Sequence, residues 1–129
     1  MLKWSSFDNQ AIILVLYKIN PPLGLKLAGA KIGNKVFIGA HTYIELDNAR
    51  YLTIEDGAVI ASHCKLILHD SSLNNVMGFD VVFGKITLGE DCYVGVNSTL
   101  LPGTHIGKET IVGANSLVTG KLKLNSVYL

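Results

Sequence analysis

The sequence predicts a left-handed parallel β-helix, an all-β solenoid of six-residue repeats, from two positions that keep the same period. Glycine fills the second position of six repeats, and it tolerates the positive φ and the close backbone approach of a tight corner. Those glycines are Gly33, Gly39, Gly89, Gly95, Gly107 and Gly113. An aliphatic residue opens every repeat, at Ile32, Ile38, Ile44, Ile54, Ile60, Leu66, Leu88, Val94, Leu100, Ile106, Val112 and Val118.

The fifth position of the repeat is small in most hexads, which suits the crowded interior beside a corner. Three hexads make one triangular coil, and stacked coils lie about 4.8 Å apart. Cys64 and Cys92 both fall in this inward position. We therefore expect two free, buried thiols. A disulfide is the alternative if the coils bring the two cysteines together. An antiparallel sandwich, whose strands alternate with period two, gives no reason for the sixfold register.

The first break in the register lies between Ile44 and Ile54, where four extra residues predict a bulge at a corner over residues 46–51. If the register resumes after it, Ile32 stacks under Ile54 and Ile38 under Ile60. The same stacking places His41 beside His63.

The second break lies between Leu66 and Leu88 and again adds four residues to a multiple of six. Residues 71–85 form either a distorted coil, with Val76 and Val82 in register, or a loop thrown out from the prism. The asparagines, the glycine and the aromatic residues favour the loop. Loops on rigid scaffolds often carry function.

The segment 1–30 does not follow the repeat, and we expect it to cap the open end of a single domain whose coils span residues 31–124. Residues 5–18 fit a short helix with Ser6 or Asp8 as its N-cap, or a strand. Trp4, Phe7 and the apolar run 12–16 would then cover the core. The Pro21–Pro22 pair would end a helix.

Composition narrows the possible partners. The chain has 129 residues and a formal net charge of +1, which is not the basic signature of a nucleic-acid-binding domain. The apolar run 11–17 is too short to span a bilayer and lacks the flanks of a signal peptide. We therefore expect a soluble cytoplasmic protein, with weak membrane contact through this run as the alternative.

Four sequence stretches resemble the hexapeptide-repeat acyltransferases, and the resemblance covers roughly residues 30–122. The repeats at Leu100–Gly107 (LLPGTHIG) and Val112–Thr119 (VGANSLVT) are similar to that family. The block Leu66–Ser72 (LILHDSS), followed by a loop and Gly84–Gly89 (GKITLG), resembles the branch that O-acetylates sugars and surface polysaccharides.

This resemblance implies a homotrimer that binds acetyl-CoA between neighbouring prisms, with His69 as the base that deprotonates an acceptor hydroxyl. The chemistry is consistent with that role, because a hydroxyl is a poor nucleophile and an imidazole accepts protons near neutral pH. The chain has no Gly-x-Ser-x-Gly nucleophile elbow. Direct attack of the hydroxyl on the thioester is therefore the simplest mechanism.

Further site residues follow from matching the family's motifs. Asp70 either orients His69 or ends the repeat in its inward slot, and Asn74 and Asn75 either bind acceptor hydroxyls or form turns. The resemblance assigns the coenzyme to Tyr93, Gly95, Val96, Gly113, Ala114, Thr119 and Lys121, with Lys123 as the alternative to Lys121.

The sequence departs from the family at Gly120, where a lysine is common, and after the last repeat, where many relatives continue with a proline-rich segment. Two rival functions remain open. One is a zinc enzyme like the γ-type carbonic anhydrases, with His41, His63 and His69 as ligands; the other is a non-catalytic scaffold. The acyltransferase interpretation requires no metal.

Overall fold

The computed structural model describes residues 7–129. Trp4, Ser6 and the side chains of Phe7 and Asp8, which the sequence places in the N-terminal cap, lie outside the described part. Within these residues, three α-helices and one 3-10 helix accompany the strands, and their bounds are α1 Phe7–Ile19, α2 Pro21–Ala28, 3-10 helix Leu46–Tyr51 and α3 Ser72–Met77.

Fourteen of the described strands form three parallel sheets that run along the solenoid. Sheet one contains β1 (Lys31–Ile32), β4 (Leu52–Ile54), β9 (Ile86–Leu88), β12 (His105–Ile106) and β15 (Lys121–Leu122). Sheet two contains β2 (Phe37–Ile38), β5 (Val59–Ile60), β10 (Tyr93–Val94), β13 (Ile111–Val112) and β16 (Val127–Tyr128). Sheet three contains β3 (Tyr43–Ile44), β6 (Lys65–Leu66), β11 (Thr99–Leu100) and β14 (Leu117–Val118).

The strand register agrees with the predicted stacking. Ile32 pairs with Ile54, and Ile38 pairs with Ile60. The rings of His41 and His63 lie 5.0 Å apart between centroids. The sixfold period therefore identifies the parallel β-helix correctly, while its left hand stays a prediction.

Burial follows the repeat closely. Eleven of the twelve aliphatic residues that open a hexad are buried, and Ile32 in the first coil is partly exposed. The hydroxyl groups buried in the fifth position find partners, because Thr110 Oγ1 donates to the Lys123 carbonyl at 2.8 Å and Ser98 Oγ to the Gly113 carbonyl at 3.1 Å. The buried residues at this small position include Ala58, Cys64, Cys92, Ser98, Thr104 and Thr110.

Both cysteines are free and buried, as expected. Burial raises the pKa of Cys92 to about 12 and also raises the pKa of Cys64. Because a thiolate is the reactive form, we expect neither thiol to react with an aromatic disulfide reagent at pH 8 in the native protein. Both should react in denaturant. Rapid reaction of one thiol per chain in the native protein would contradict this burial.

The structure corrects the role given to the second-position glycines. Positive φ angles occur instead at the fourth position of the repeat, for example at His41, Asp91 and Asn115. Where glycine stands at the second position, neighbouring coils touch: a Cβ on Gly39 would lie 2.4 Å from the Ser62 nitrogen. The expectation of positive φ at these glycines was wrong, and the expectation of close approach was right.

The N-terminal segment is helical, so the chain is not purely β. Asn20 caps α2 by accepting a hydrogen bond from the Leu23 N–H at 3.3 Å, and prolines occupy the first turn, as helix starts allow. The Pro21–Pro22 pair therefore begins a second helix after α1 ends. Leu25 of α2 is fully buried in the core cluster. The hydroxyl of Tyr17 in α1 donates to the Thr42 carbonyl at 2.6 Å.

The last coil is shorter than the coil before it. Leu122 pairs with Ile106, and Tyr128 pairs with Val112. The partners in each of these pairs are closer in sequence than Ile106 and Leu88, which pair in the preceding coil. Leu122, which is an exception at the fifth position of the repeat, belongs to a further strand, β15. The coils continue past residue 124 to the end of β16.

The second break leaves the prism as a hairpin. β7 (His69–Asp70) and β8 (Val82–Phe83) pair antiparallel, with α3 at the tip. The helix contains no buried residue, and Val82 pairs with Asp70 rather than with a coil. Among residues 7–129, no helix is long and apolar enough to cross a membrane.

Candidate active site

The two breaks in the repeat lie at the same edge of the prism. Ile44 pairs with Leu66 in sheet three, and the chain leaves the register after each of them. Both departures therefore lie between sheet three and sheet one, which we call the hairpin edge. The first contributes Glu45 and the 3-10 helix, and the second contributes His69 and the hairpin.

Glu45 and His69 meet at this edge. Nδ1 of His69 lies 2.8 Å from Oε1 of Glu45. The Glu45 side chain is 8% exposed and that of His69 is 39% exposed. The contact is close but not aligned, since Nδ1 is buried and makes no hydrogen bond of good geometry within the described chain. In enzymes, contacts of this kind are often bent in the free protein and align when substrate binds.

The second carboxylate oxygen of Glu45 anchors it to the neighbouring coil. Oε2 accepts a hydrogen bond from the Leu68 N–H at 2.9 Å. Leu68 is fully buried, so the carboxylate is fixed against backbone rather than against a mobile side chain. Asn48 Nδ2 lies 3.5 Å from the same oxygen. Glu45 is thus positioned by the corner and by the base of the hairpin together.

The hairpin orients the histidine ring. His69 pairs with Phe83 across the two strands, with ring centroids 6.2 Å apart. Phe83 stacks in turn on Tyr51 of the 3-10 helix at 5.5 Å. The Gly84 N–H donates to the Leu68 carbonyl at 3.0 Å, which closes the hairpin at its base. These contacts leave part of the imidazole open to solvent while Nδ1 faces inward.

A groove of about 690 Å³ lies between the N-terminal helices and the hairpin edge. One wall comes from α1 and α2, and the opposite wall comes from the corner that follows β3. His69 and Glu45 both line it. The volume falls within the range of small-molecule sites.

The other hairpin residues predicted for the site lie outside the groove, and their roles in the site stay predictions. Asp70 is exposed rather than inward, and its carboxylate accepts a hydrogen bond from the Ser72 N–H at 2.8 Å. Hydrogen bonds from the Ser72 backbone and side chain hold the pKa of Asp70 below its ordinary value. Asn74 Nδ2 donates to the Phe79 carbonyl at 2.7 Å, which closes the turn after α3. Neither Asn74 nor Asn75 lines the groove.

The predicted coenzyme residues fall into two groups. The residues of the first group lie in sheet two or at the edge between sheets two and three, which we call the second edge. Neighbouring coils touch at this edge, since a Cβ on Gly95 would lie 2.5 Å from the Ala114 nitrogen. Thr119 lies at the hairpin edge and Lys121 in sheet one, both exposed. The residues of the first group are Tyr93, Gly95, Val96, Gly113 and Ala114.

The three histidines of the zinc alternative do not converge. The tilted rings of His41 and His63 lie against each other at the second edge, whereas His69 lies at the hairpin edge beside Glu45. Within residues 7–129, no three side chains of histidine, cysteine, aspartate or glutamate are grouped to hold a metal ion.

Fold and site together define a class: a hexapeptide-repeat solenoid with an acid–histidine pair at one edge. Residues 85–120 match the family described as bacterial transferase hexapeptide (six repeats). Over these residues the chain is similar to the hexapeptide-repeat transferases, in agreement with the sequence resemblance.

Two relatives illustrate the similarity. Carnitine operon protein CaiE of Salmonella agona (strain SL483) is 28% identical over 104 residues, which cover 75% of this chain and 51% of the relative. WbbJ of Escherichia coli (strain K12), whose name assigns it to lipopolysaccharide biosynthesis as a putative O-acetyl transferase, is 45% identical over 42 residues, covering 33% of this chain and 21% of the relative. The chain spans about half the length of CaiE.

Among solved structures, a mutant of AntD is similar in fold and in sequence. AntD is an N-acyltransferase from Bacillus cereus, solved with dTDP-4-amino-4,6-dideoxyglucose and coenzyme A. The TM-score is 0.60 at 29% sequence identity, over 74% of this chain and 55% of AntD.

Proposed function

We propose that this chain transfers an acetyl group from acetyl-CoA to a hydroxyl group of a sugar or polysaccharide precursor. The observation that carries the proposal is the contact between Glu45 and His69 at the edge of a hexapeptide-repeat helix. The names of WbbJ and AntD, an O-acetyl transferase and an N-acyltransferase solved with a sugar nucleotide, support the reaction class.

In the proposed reaction, Nε2 of His69 takes the proton from the acceptor hydroxyl as the oxygen attacks the thioester carbonyl. Acetyl-CoA supplies the acyl group, the carbon–sulfur bond breaks, and the proton passes to the departing thiolate. When the acceptor binds and the contact aligns, Glu45 accepts a hydrogen bond from Nδ1–H, which leaves the Nε2 lone pair free to act as base. Its negative charge also stabilises the imidazolium that forms.

The coenzyme residues favour a site shared between subunits. Gly95, Val96 and Ala114 lie at the second edge, and His69 lies at the hairpin edge of the same prism. A homotrimer that sets the second edge of one chain against the hairpin edge of the next would bring both groups to one cleft. Exposed Tyr93 and Val96 offer that cleft an apolar surface. The trimer, the left hand of the helix, the capping role of α1 and α2, and the cytoplasmic location stay predictions.

The direct test is release of coenzyme A thiol from acetyl-CoA in the presence of a panel of neutral sugars, amino sugars and alkyl glycosides. Acetyl-CoA binding is measured separately, for example by calorimetry. We expect binding and acceptor-dependent thiol release with hydroxyl acceptors. Absence of acetyl-CoA binding by the assembled protein would refute the proposal. Turnover with amines alone would show that the reaction is N-acetylation and not O-acetylation.

Replacing Glu45 with glutamine tests its positioning role. Glutamine offers one carbonyl oxygen, which cannot serve both the Leu68 N–H and Nδ1 of His69. We expect kcat to fall by about 10- to 100-fold, with KM for the acceptor unchanged. The ¹⁵N chemical shifts of His69 should report a loss of the Nδ1–H tautomer.

The control is Glu55→Gln, at an exposed carboxylate that follows β4. It should change neither kcat nor the His69 tautomer. If Glu45→Gln leaves the tautomer intact and lowers only the melting temperature, Glu45 is structural and does not position the base.

A further inference from the structure

The groove beside His69 has two chemically different walls. The wall formed by the corner carries the polar groups of Glu45, Asp47 and Asn48, with His69 beside them, interspersed with the apolar Ile44 and Leu46. A ligand that fills this groove meets the imidazole on one side and hydrocarbon on the other. The helical wall is apolar apart from Gln10, and its apolar side chains are Ala11, Ile13, Leu14, Leu27 and Ala28.

The apolar wall is not fully covered by contacts within the described chain. Ile13 is 7% exposed and therefore forms a fixed floor, whereas Leu14 is 48% exposed on the same helix. Covering Leu14 with an apolar group of a ligand would remove hydrocarbon from water, which is favourable in proportion to the area covered. Helix α1 thus presents an apolar surface that a purely polar sugar would leave exposed to water.

The charge of the groove limits the ligand further. Two carboxylates line it, Glu45 and Asp47, and no lysine or arginine is among the described lining residues. Arg50 lies at the same corner, but its guanidinium stacks over the Tyr51 ring at 4.6 Å and donates to the Asp47 carbonyl at 3.2 Å. A phosphate or diphosphate in the groove would face carboxylates without a cation among the described lining residues.

We infer that the groove binds an uncharged amphiphile: an acceptor whose hydroxyl group lies at His69 and whose apolar substituent lies against Leu14 and Leu27. This inference rests on the proposed acetyl transfer for the role of the hydroxyl, but not for the binding itself. The acceptor is accordingly an alkyl or lipid-like glycoside, or a similar apolar alcohol, rather than a nucleotide sugar.

The experiment compares three probes that share a glucose unit: methyl β-glucoside, hexyl β-glucoside and glucose 1-phosphate. Binding to the full chain is followed by ¹H–¹⁵N NMR titration without acetyl-CoA, below the micelle concentration of the hexyl compound. We expect hexyl glucoside to bind about tenfold more tightly than methyl glucoside. Glucose 1-phosphate should bind more weakly than either.

A pair of variants locates the apolar contact. Leu14→Gln changes the groove wall, and Val15→Gln changes a similarly exposed neighbour on α1 that does not line it. Leu14→Gln should remove most of the preference for the hexyl chain, and Val15→Gln should keep it. Equal binding of the methyl and hexyl probes, an equal effect of both variants, or tighter binding of glucose 1-phosphate would overturn the inference.

Turnover separates this inference from the proposed function. If hexyl glucoside binds as expected but no thiol is released from acetyl-CoA, the groove is an amphiphile site and the acetyl transfer is wrong. If thiol is released with methyl and hexyl glucosides at the same KM, the transfer is right and the apolar subsite is wrong.

Discussion

Replacing His69 with glutamine is expected to lower kcat for acetyl transfer by about a thousandfold, within the range that removal of a general base usually costs. Glutamine has a size and polarity similar to those of histidine, but it cannot take a proton from a hydroxyl at neutral pH. The side chain is partly exposed, so the fold should tolerate the change. Thiol release from acetyl-CoA, measured with a saturating acceptor, gives kcat directly.

The matched control is His63→Gln. His63 is also exposed on the solenoid, but it lies against His41 at the second edge. It should keep full kcat, and both variants should melt within a few degrees of the parent. A His69→Gln enzyme that keeps more than a tenth of the parent kcat would show that another group, or water, takes the proton.

Much of the fold could be predicted because every coil meets the same physical constraints. Each coil needs aliphatic residues inside and small residues beside its corners, and glycine recurs where coils touch, so several positions keep the same period. The turn position with positive φ carries a weaker signal, although residues such as Asn97 and Asn115 tolerate that conformation better than most. The hand of the β-helix gives no comparable signal in the sequence, since a left-handed and a right-handed helix would place the same positions inside.

The helices at the start of the chain were only partly predictable. The 12–16 run is apolar on several faces, so no single periodicity separates a helix from a strand. Helix α2 was missed because the Pro21–Pro22 pair was interpreted only as an end. Prolines in the first turn of a helix start it as readily, since N–H groups there have no partner within the helix. The close contact of Gly24 with Tyr17, at 2.5 Å for an added Cβ, then fixes how the helices cross.

The candidate site shows where reasoning from local sequence ends. His69 follows from a motif, but its partner Glu45 lies one coil earlier. The sequence nevertheless contains a signal for this pairing. Ile44 and Leu66 are the last aliphatic positions before the two breaks, and they have the same spacing as the stacked pair Ile32 and Ile54. Both departures must therefore begin at one corner. Asp70 is adjacent to His69 in sequence, yet neighbours along a strand point to opposite faces.

Replacing Leu100 with alanine is expected to lower the free energy of unfolding by about 3 kcal/mol, the usual cost of truncating a fully buried leucine. Leu100 is 0% exposed and stacks between Leu66 and Val118 in sheet three. A solenoid coil contacts only its two neighbours, and its backbone is tied to both by hydrogen bonds. The coils therefore cannot collapse into the space that the side chain leaves.

The control is Leu73→Ala on α3, which removes the same atoms from a side chain that is 49% exposed at the hairpin tip. It should change the unfolding free energy by less than about 0.5 kcal/mol. Urea unfolding followed by circular dichroism measures both variants. Equal destabilisation by the two changes would mean that the hairpin is as much a part of the folded core as the coils. A loss below about 1 kcal/mol at Leu100 would mean that the coils do rearrange to fill the cavity.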